Sequence, residues 1–186
     1  MGRTVTDTTI LTLENAAPRV AESAFIAPGT RIIGDVKLGE DASVWYNCVI
    51  RADVNHVRIG ARTNIQDGST IHCDSPQGDH PGYPTLIGED CLIGHMVLLH
   101  GCTLEDRAFV GMGAIVLNGA LIESDGMLAA GAMLTSGKVV KSGQLWAGRP
   151  AKYLRDLTPE EIASNQIGVR HYVENGRRHA AALRAG

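Results

Sequence analysis

Residues 104–140, LEDRAFVGMGAIVLNGALIESDGMLAAGAMLTSGKVV, carry an aliphatic residue at every sixth position: Leu104, Val110, Val116, Ile122, Leu128, Leu134 and Val140. An α-helix repeats its buried face every 3.6 residues and a half-buried strand every two, so neither accounts for a beat of six. The beat extends upstream. Val20, Ile26, Ile32, Leu38, Val44 and Ile50 keep it; it resumes after a shift of nine at Ile59, Ile65 and Ile71, after a gap of sixteen at Ile87, Ile93 and Leu99, and after a shift of five at Leu104. Four residues after most beats stands a small or β-branched residue, among them Ala24, Thr30, Ala42, Cys48, Thr63, Ser69, Cys91 and Ala108. Two inward positions in every six residues are the hexapeptide signature of a β-helix, in which three short strands make one prism-shaped coil and each coil covers the edge of the last. The expected fold is an all-β solenoid, a parallel β-helix of hexapeptide repeats. Coils spaced about 4.8 Å apart leave a narrow interior, in keeping with 22 glycines and only 4% aromatic residues.

The repeat divides the chain into an N-terminal lead-in (1–18), a hexapeptide β-helix (19–148) with an inserted loop (74–85), and a C-terminal extension with a helix (149–186). The loop, in the Gly- and Pro-rich stretch CDSPQGDHPGYPTL, is an excursion from the prism. In the tail, Thr158, Pro159 and Glu161 spell an N-cap, a proline at the first helical position and a capping box. A helix is expected from Pro159 towards Arg184, with a partly apolar stripe of Ile162, Gln166, Val169, Tyr172 and Val173, although Gly168 and Gly176 run against it.

With 186 residues, 44% of them hydrophobic, one globular core is the default. A formal net charge of −3 without a basic run gives no sign of a nucleic-acid partner or an anionic membrane surface. The start, MGRTVTDTTILTLENAAPRV, has neither the blocks of a signal peptide nor a membrane-spanning length of apolar residues, so a soluble cytoplasmic protein is expected. Cys48, Cys73, Cys91 and Cys102 form no C-x-x-C pair and read as small core residues.

The breaks in the beat are insertions at corners, which lets the coils be stacked. If Ile59, Ile65 and Ile71 mark the first, second and third faces, then Leu38, Val44 and Ile50 lie one coil below, and Ile87, Ile93 and Leu99 one coil above. The residue after each third-face beat points outward, and on these three coils it is Arg51, His72 and His100. The two histidines are therefore a single strand spacing apart, about 4.8 Å. Two places after successive second-face beats, near the next corner, stand Asp67 and His95. His95 and His100 fall on different faces of one prism, and only a second subunit would bring His95 of one chain to His72 and His100 of another. A closed three-fold assembly suits a prism. Three neutral imidazoles with an open fourth position describe a catalytic zinc site, and Arg51, Asp53, Asn64, Gln66 and Asp67 are at hand to orient ligands and water. His56, His80, His171 and His179 lack such company and are read as exposed or structural, with His80 a weaker candidate through a loop expected to overhang the site.

The run SVWYNCVIRADVNHVRIGARTNIQDGSTIHCD, followed by IGHMVLLHGC, resembles the gamma-class carbonic anhydrases and the related bacterial hexapeptide proteins of the carnitine-operon and phenylacetate type. The resemblance covers nearly the whole chain. It implies a left-handed β-helix in a homotrimer, with metal ligands His72, His95 and His100 shared between subunits. It also implies an intersubunit Arg51–Asp53 ion pair, Gln66 orienting the hydroxide that attacks CO2, and Asp67 in support alongside Asn64. The reaction implied is reversible hydration of CO2 to bicarbonate. Zinc is the expected metal, and three histidines also accept ferrous iron or cobalt. One departure weighs on turnover: family members carry glutamates after the R-x-D pair and in the loop after the first histidine, held to move protons out, whereas here Val54 follows Asp53 and the loop offers Asp74, Asp79 and His80. Three alternatives stay open: a hexapeptide acyltransferase, a CoA-thioesterase using the same hydroxide, and a non-catalytic metal-binding trimer.

Overall fold

In a computed structural model, which describes residues 7–185, the chain winds into a parallel β-solenoid followed by one helix. Residues 1–6 of the expected lead-in, and Gly186, lie outside the described residues.

The register is the one the beat of six implies. First-face rungs run Val20, Leu38, Ile59, Ile87, Leu104, Ile122 and Val140. Second-face rungs run from Ile26 to Trp146, and third-face rungs from Ile10 to Leu134. Between Ile32 and Val140 the least covered rung is Ile87, at 4% exposed. The small residues four places on fill the corners, and their hydroxyls serve backbone carbonyls there: Thr30 Oγ1 donates to Trp45 O (2.9 Å), Thr63 Oγ1 to Gly88 O (2.7 Å) and Ser69 Oγ to Gly94 O (3.1 Å). A buried hydroxyl at a corner is thus satisfied by the coil beside it, which is why threonine and serine alternate freely with alanine in this column.

The ladder starts earlier than the repeat suggested. Thr9–Leu11 pairs in parallel with Arg31–Ile33, so a strand inside the 1–18 segment already belongs to the third face. Between Ile50 and Ile59 the pairing accounts for the shift of nine. Gly34 faces Ala52 and Val36 faces Val57, so four residues, Asp53 to His56, stand opposite Asp35 alone. The excess bulges at the corner, and strand Val49–Ile59 runs round it from the third face to the first. The long loop is tied to this bulge: Asn55 Nδ2 donates to Asp74 O and Pro81 O, each at 3.1 Å. At the far end of the prism, Lys152–Asp156 pairs antiparallel with Gln144–Ala147.

The helix spans Pro159–Ala185 and starts as its cap predicts. Thr158 N–H donates to Glu161 Oε2 (2.9 Å) while Glu161 N–H donates to Thr158 Oγ1 (3.2 Å). The helix lies along the second face, where Phe25 and Trp45 pack edge to face with centroids 5.3 Å apart and Tyr172 meets Trp45 at 5.4 Å. The rings excluded from the narrow prism are used outside it, as cement for the helix. Gly168 and Gly176 do not break the helix; each faces the prism where a Cβ would stand only 3.2 Å from Leu92 or Phe25. All four cysteines are buried and free. No helix among the described residues is long and apolar enough to cross a membrane.

Candidate metal centre

Strand pairing places Arg51, His72 and His100 in one column, as Arg51 partners His72 and His72 partners His100. The two imidazoles tilt together, with centroids 5.1 Å apart and His72 Nδ1 only 3.1 Å from His100 Nε2. The corner bulge turns Asp53 back towards this column. Its Oδ1 lies 2.9 Å from His72 Nε2, and its Oδ2 accepts from Arg51 of the same chain. Burial alone would raise the Asp53 carboxyl, but hydrogen bonds from His72 and Arg51 outweigh it and hold the group below the ordinary carboxylate range. Within the one chain described, Arg51 pairs with Asp53, since residues two apart on a strand share a side.

The other candidates gather across the corner. His95 sits in the turn after strand Leu92–Ile93, with Nδ1 2.9 Å from Asp67 Oδ2, and Met96 N–H donates to Asp67 O (3.0 Å). Met96 takes a φ of +60° there, as Gly68 (+69°) and Gly113 (+65°) do at the same corner of the adjoining coils. Gln66 is nearly buried and donates to Asn64 Oδ1 (3.0 Å), while the fully buried Asn64 donates to Cys91 O (3.2 Å). The candidates thus fall into two groups on one chain: Arg51, Asp53, His72 and His100 on the third face, and Asn64, Gln66, Asp67 and His95 at the corner with the second. Among the described residues, no three His, Cys, Asp or Glu side chains converge to hold a metal ion.

The third-face half fits a divalent cation. A tetrahedral zinc with Zn–N bonds of about 2.0–2.1 Å separates two ligand nitrogens by roughly 3.3–3.4 Å, close to the 3.1 Å observed. A carboxylate on the far nitrogen of His72 is the usual support for such a ligand. His80 takes no part. It folds onto its own loop, accepting from Gly82 N–H (3.0 Å) and tilting against Tyr83 with centroids 4.7 Å apart.

Two features escaped the sequence reading. The C-terminal helix walls a hollow of about 520 Å³ beside Asp67, lined by Trp45, Tyr46, Tyr172, Asn175 and His179, in which Tyr46 Oη lies 2.9 Å from His179 Nδ1. Asn118, one coil above His100, sets its Oδ1 2.6 Å from His100 Nδ1. It stands two places after a third-face beat, in a column otherwise reading Gly34, Ala52, Cys73, Gly101 and Ser136, so an amide among small residues was the available signal. A larger hollow, about 750 Å³, lies on the first face near Arg19, Lys37 and Arg58 and includes none of the candidate residues.

Fold and site together define a hexapeptide-repeat solenoid with histidines stacked on one face. No protein-family model matches the chain. Its relatives are nonetheless clear. Mitochondrial gamma carbonic anhydrase 1 of Arabidopsis thaliana is 44% identical over 173 residues, covering 93% of this chain but 63% of the plant protein, so the chain spans less than two thirds of that relative. The carbonic anhydrase of Geobacillus kaustophilus is 46% identical over 88% of this chain and 87% of its own length. Among solved structures, a hexapeptide transferase family protein from Anaplasma phagocytophilum superposes with a TM-score of 0.84 at 47% identity, over 91% of this chain and 96% of the other. The chain belongs to the gamma carbonic anhydrase family.

Proposed function

We propose that the protein is a metal-dependent lyase catalysing reversible hydration of CO2 to bicarbonate at sites shared between the subunits of a homotrimer. The observation that carries this reading is the division of the histidines. His72 and His100 converge to 3.1 Å on the third face, while His95 is held by Asp67 across the corner. His95 from a neighbouring chain would supply the third nitrogen. The patch around it favours a neighbour, because Met96, Met112 and Leu98 are exposed there.

His72, His100 and a neighbour's His95 would hold zinc, which would supply a water acidified enough to act as nucleophile at neutral pH; ferrous iron or cobalt would fit the same donors. Asp53 orients His72, Asp67 orients His95, and Gln66, anchored on Asn64, presents a fixed amide beside them. Arg51 balances the Asp53 charge and offers a cation to bicarbonate. Val54 occupies the place of a proton-carrying glutamate, so proton exit is the slow step and turnover is low. The work is assigned to the cytoplasm, in keeping with the bacterial relative.

A lone histidine base for acyl transfer is less well supported, since the outer nitrogens of His72 and His100 are already engaged by Asp53 and Asn118. The test is to purify the protein without chelator, quantify metal per chain, and follow CO2 hydration by stopped flow beside a thioesterase assay. Metal with hydration and an increase for Val54→Glu is the expected result. Thioester cleavage without hydration would replace the reading, and absence of metal uptake would end it.

A further inference from the structure

We propose that Asn118 is a positioning residue of this metal centre, its side-chain oxygen fixing the tautomer of His100 so that Nε2 turns a lone pair towards the ion. The inference rests on the metal-centre reading above.

A neutral imidazole has one N–H and one bare nitrogen, and its partners decide which is which. Asn118 Oδ1, 2.6 Å from His100 Nδ1, can only accept, so the proton sits on Nδ1 and Nε2 is bare. On the other ring the Asp53 carboxylate, 2.9 Å from His72 Nε2, also only accepts, so His72 Nδ1 is bare. The two bare nitrogens face each other at 3.1 Å. Lone pair against lone pair is repulsive at that distance unless a cation lies between them. Without the Asn118 oxygen the pair would have an easy escape: His100 would move its proton to Nε2 and donate to His72 Nδ1. That N–H···N bond satisfies both rings and leaves nothing for an ion. Asn118 closes the escape.

The surroundings hold the amide in place. Gly101, with a φ of +58°, borders the path of the side chain; a Cβ there would stand 2.8 Å from Asn118 Oδ1 and 2.7 Å from Tyr83 Cβ. Gly119 N–H donates to Gly101 O (2.7 Å), and Gly137 N–H to Asn118 O (3.1 Å), which locks the backbone of Asn118 between its neighbouring coils. Tyr83, carried by the long loop, lies against Gly101 and Gly119. Arg51 with Asp53, His72, His100 and Asn118 thus form one line of contacts over four successive coils, interrupted only where the ion would sit.

The experiment uses Co2+ as probe on metal-stripped, full-length wild type, Asn118→Leu, Asn118→Asp and Gly101→Ala. Affinity is read by competition with a chromophoric chelator and ligand geometry by the cobalt d–d absorption spectrum; melting temperature and mass confirm the fold of each variant. Loss of a partner behind a histidine ligand costs roughly 10–100-fold in metal affinity. Asn118→Leu is expected to lose that much and to change the spectrum, Gly101→Ala to follow it by displacing the amide, and Asn118→Asp, which keeps an acceptor oxygen, to stay near wild type. Wild-type affinity and spectrum in Asn118→Leu would overturn the assignment while leaving the metal centre standing. Equal losses in Asn118→Asp and Asn118→Leu would overturn it in favour of packing. Should Asn118→Leu fail to fold, Gly101→Ala against Asn118→Asp decides in the same way. A wild type that takes up no Co2+ would remove the metal centre itself, and the inference with it.

Discussion

Substituting Met112→Asp tests the proposed shared site at the surface a neighbour would cover. Met96, Met112 and Leu98 are 69%, 58% and 38% exposed in the single chain, around the corner that carries His95. Full burial of such a side chain contributes about 1.5–3 kcal/mol, so covering these exposed fractions is worth roughly 2.5–5 kcal/mol per chain. Removing Met112 forfeits its share, and an unpaired carboxylate buried in its place costs several kcal/mol more. In a closed trimer the change occurs three times. A surface substitution on an isolated prism, by contrast, stays within about 0.5 kcal/mol. Wild type should therefore elute near three times 19.8 kDa, about 59 kDa, and Met112→Asp near 19.8 kDa at micromolar concentration, with metal uptake falling alongside because His95 is no longer delivered. A wild type that is monomeric, or a Met112→Asp protein that keeps its trimer mass, melting temperature and metal, would refute the reasoning.

Three further outcomes follow from the prism and its tail. Leu99 is fully buried between Ile71 and Val116; Leu99→Ala should cost about 2–5 kcal/mol, a fall of roughly 5–15 °C in a melting curve, and a shift under 2 °C would contradict a rigid ladder. Glu161 has its carboxyl pulled down to about 2 by the Arg155 guanidinium and the Thr158 N–H. A depressed acid stabilises the fold above its unfolded value, and that stability disappears as pH falls through the folded one. Helicity at 222 nm should therefore drop for wild type between about pH 4.5 and 2 by a component that Glu161→Gln lacks; superimposable curves would exclude this cap as its origin. Burial pushes the Cys48 thiol up to about 11 and those of Cys91 and Cys102 up to about 12. A thiol reagent at pH 8 should find none of the four within minutes in the native protein and all four in guanidinium, and rapid native labelling would show that the coils open.

The prism was legible because its rule is local and repeated: once Leu104 to Val140 fix a period, every outward column follows, and the stacking of Arg51, His72 and His100 needed no coordinates. The corner bulge was visible only as an irregular shift of nine. Sequence could count its three extra residues but not say that they would turn Asp53 onto His72. Gly168 and Gly176 misled in the opposite sense, since helix propensity is local while the approach to Leu92 and Phe25 is tertiary. Asn118 was not legible because the outward residue of its coil is Leu117, the one directly after the Val116 beat. Near a corner, the residue after that one can also reach down, and a column of small residues leaves the room for it.

The geometry of a prism is the reason the proposed centre calls for an assembly. Stacked strands on one flat face bring two imidazoles to 3.1 Å, and the partners behind them, Asp53 and Asn118, come from the same column of coils. A third donor on the same column would sit a further strand spacing away, in line with the other two rather than around a common point. A donor on the adjacent face looks away, because the prism is convex. No substitution within one chain cures this, since inward positions are filled by the ladder. In the proposed assembly a neighbour offering the corner that holds His95 and Asp67 would supply the concavity and cover Met96 and Met112. If the proposed trimer forms, metal binding and assembly would be two readings of one free energy: an ion held by both groups would stabilise the trimer by the amount that trimer formation raises its affinity.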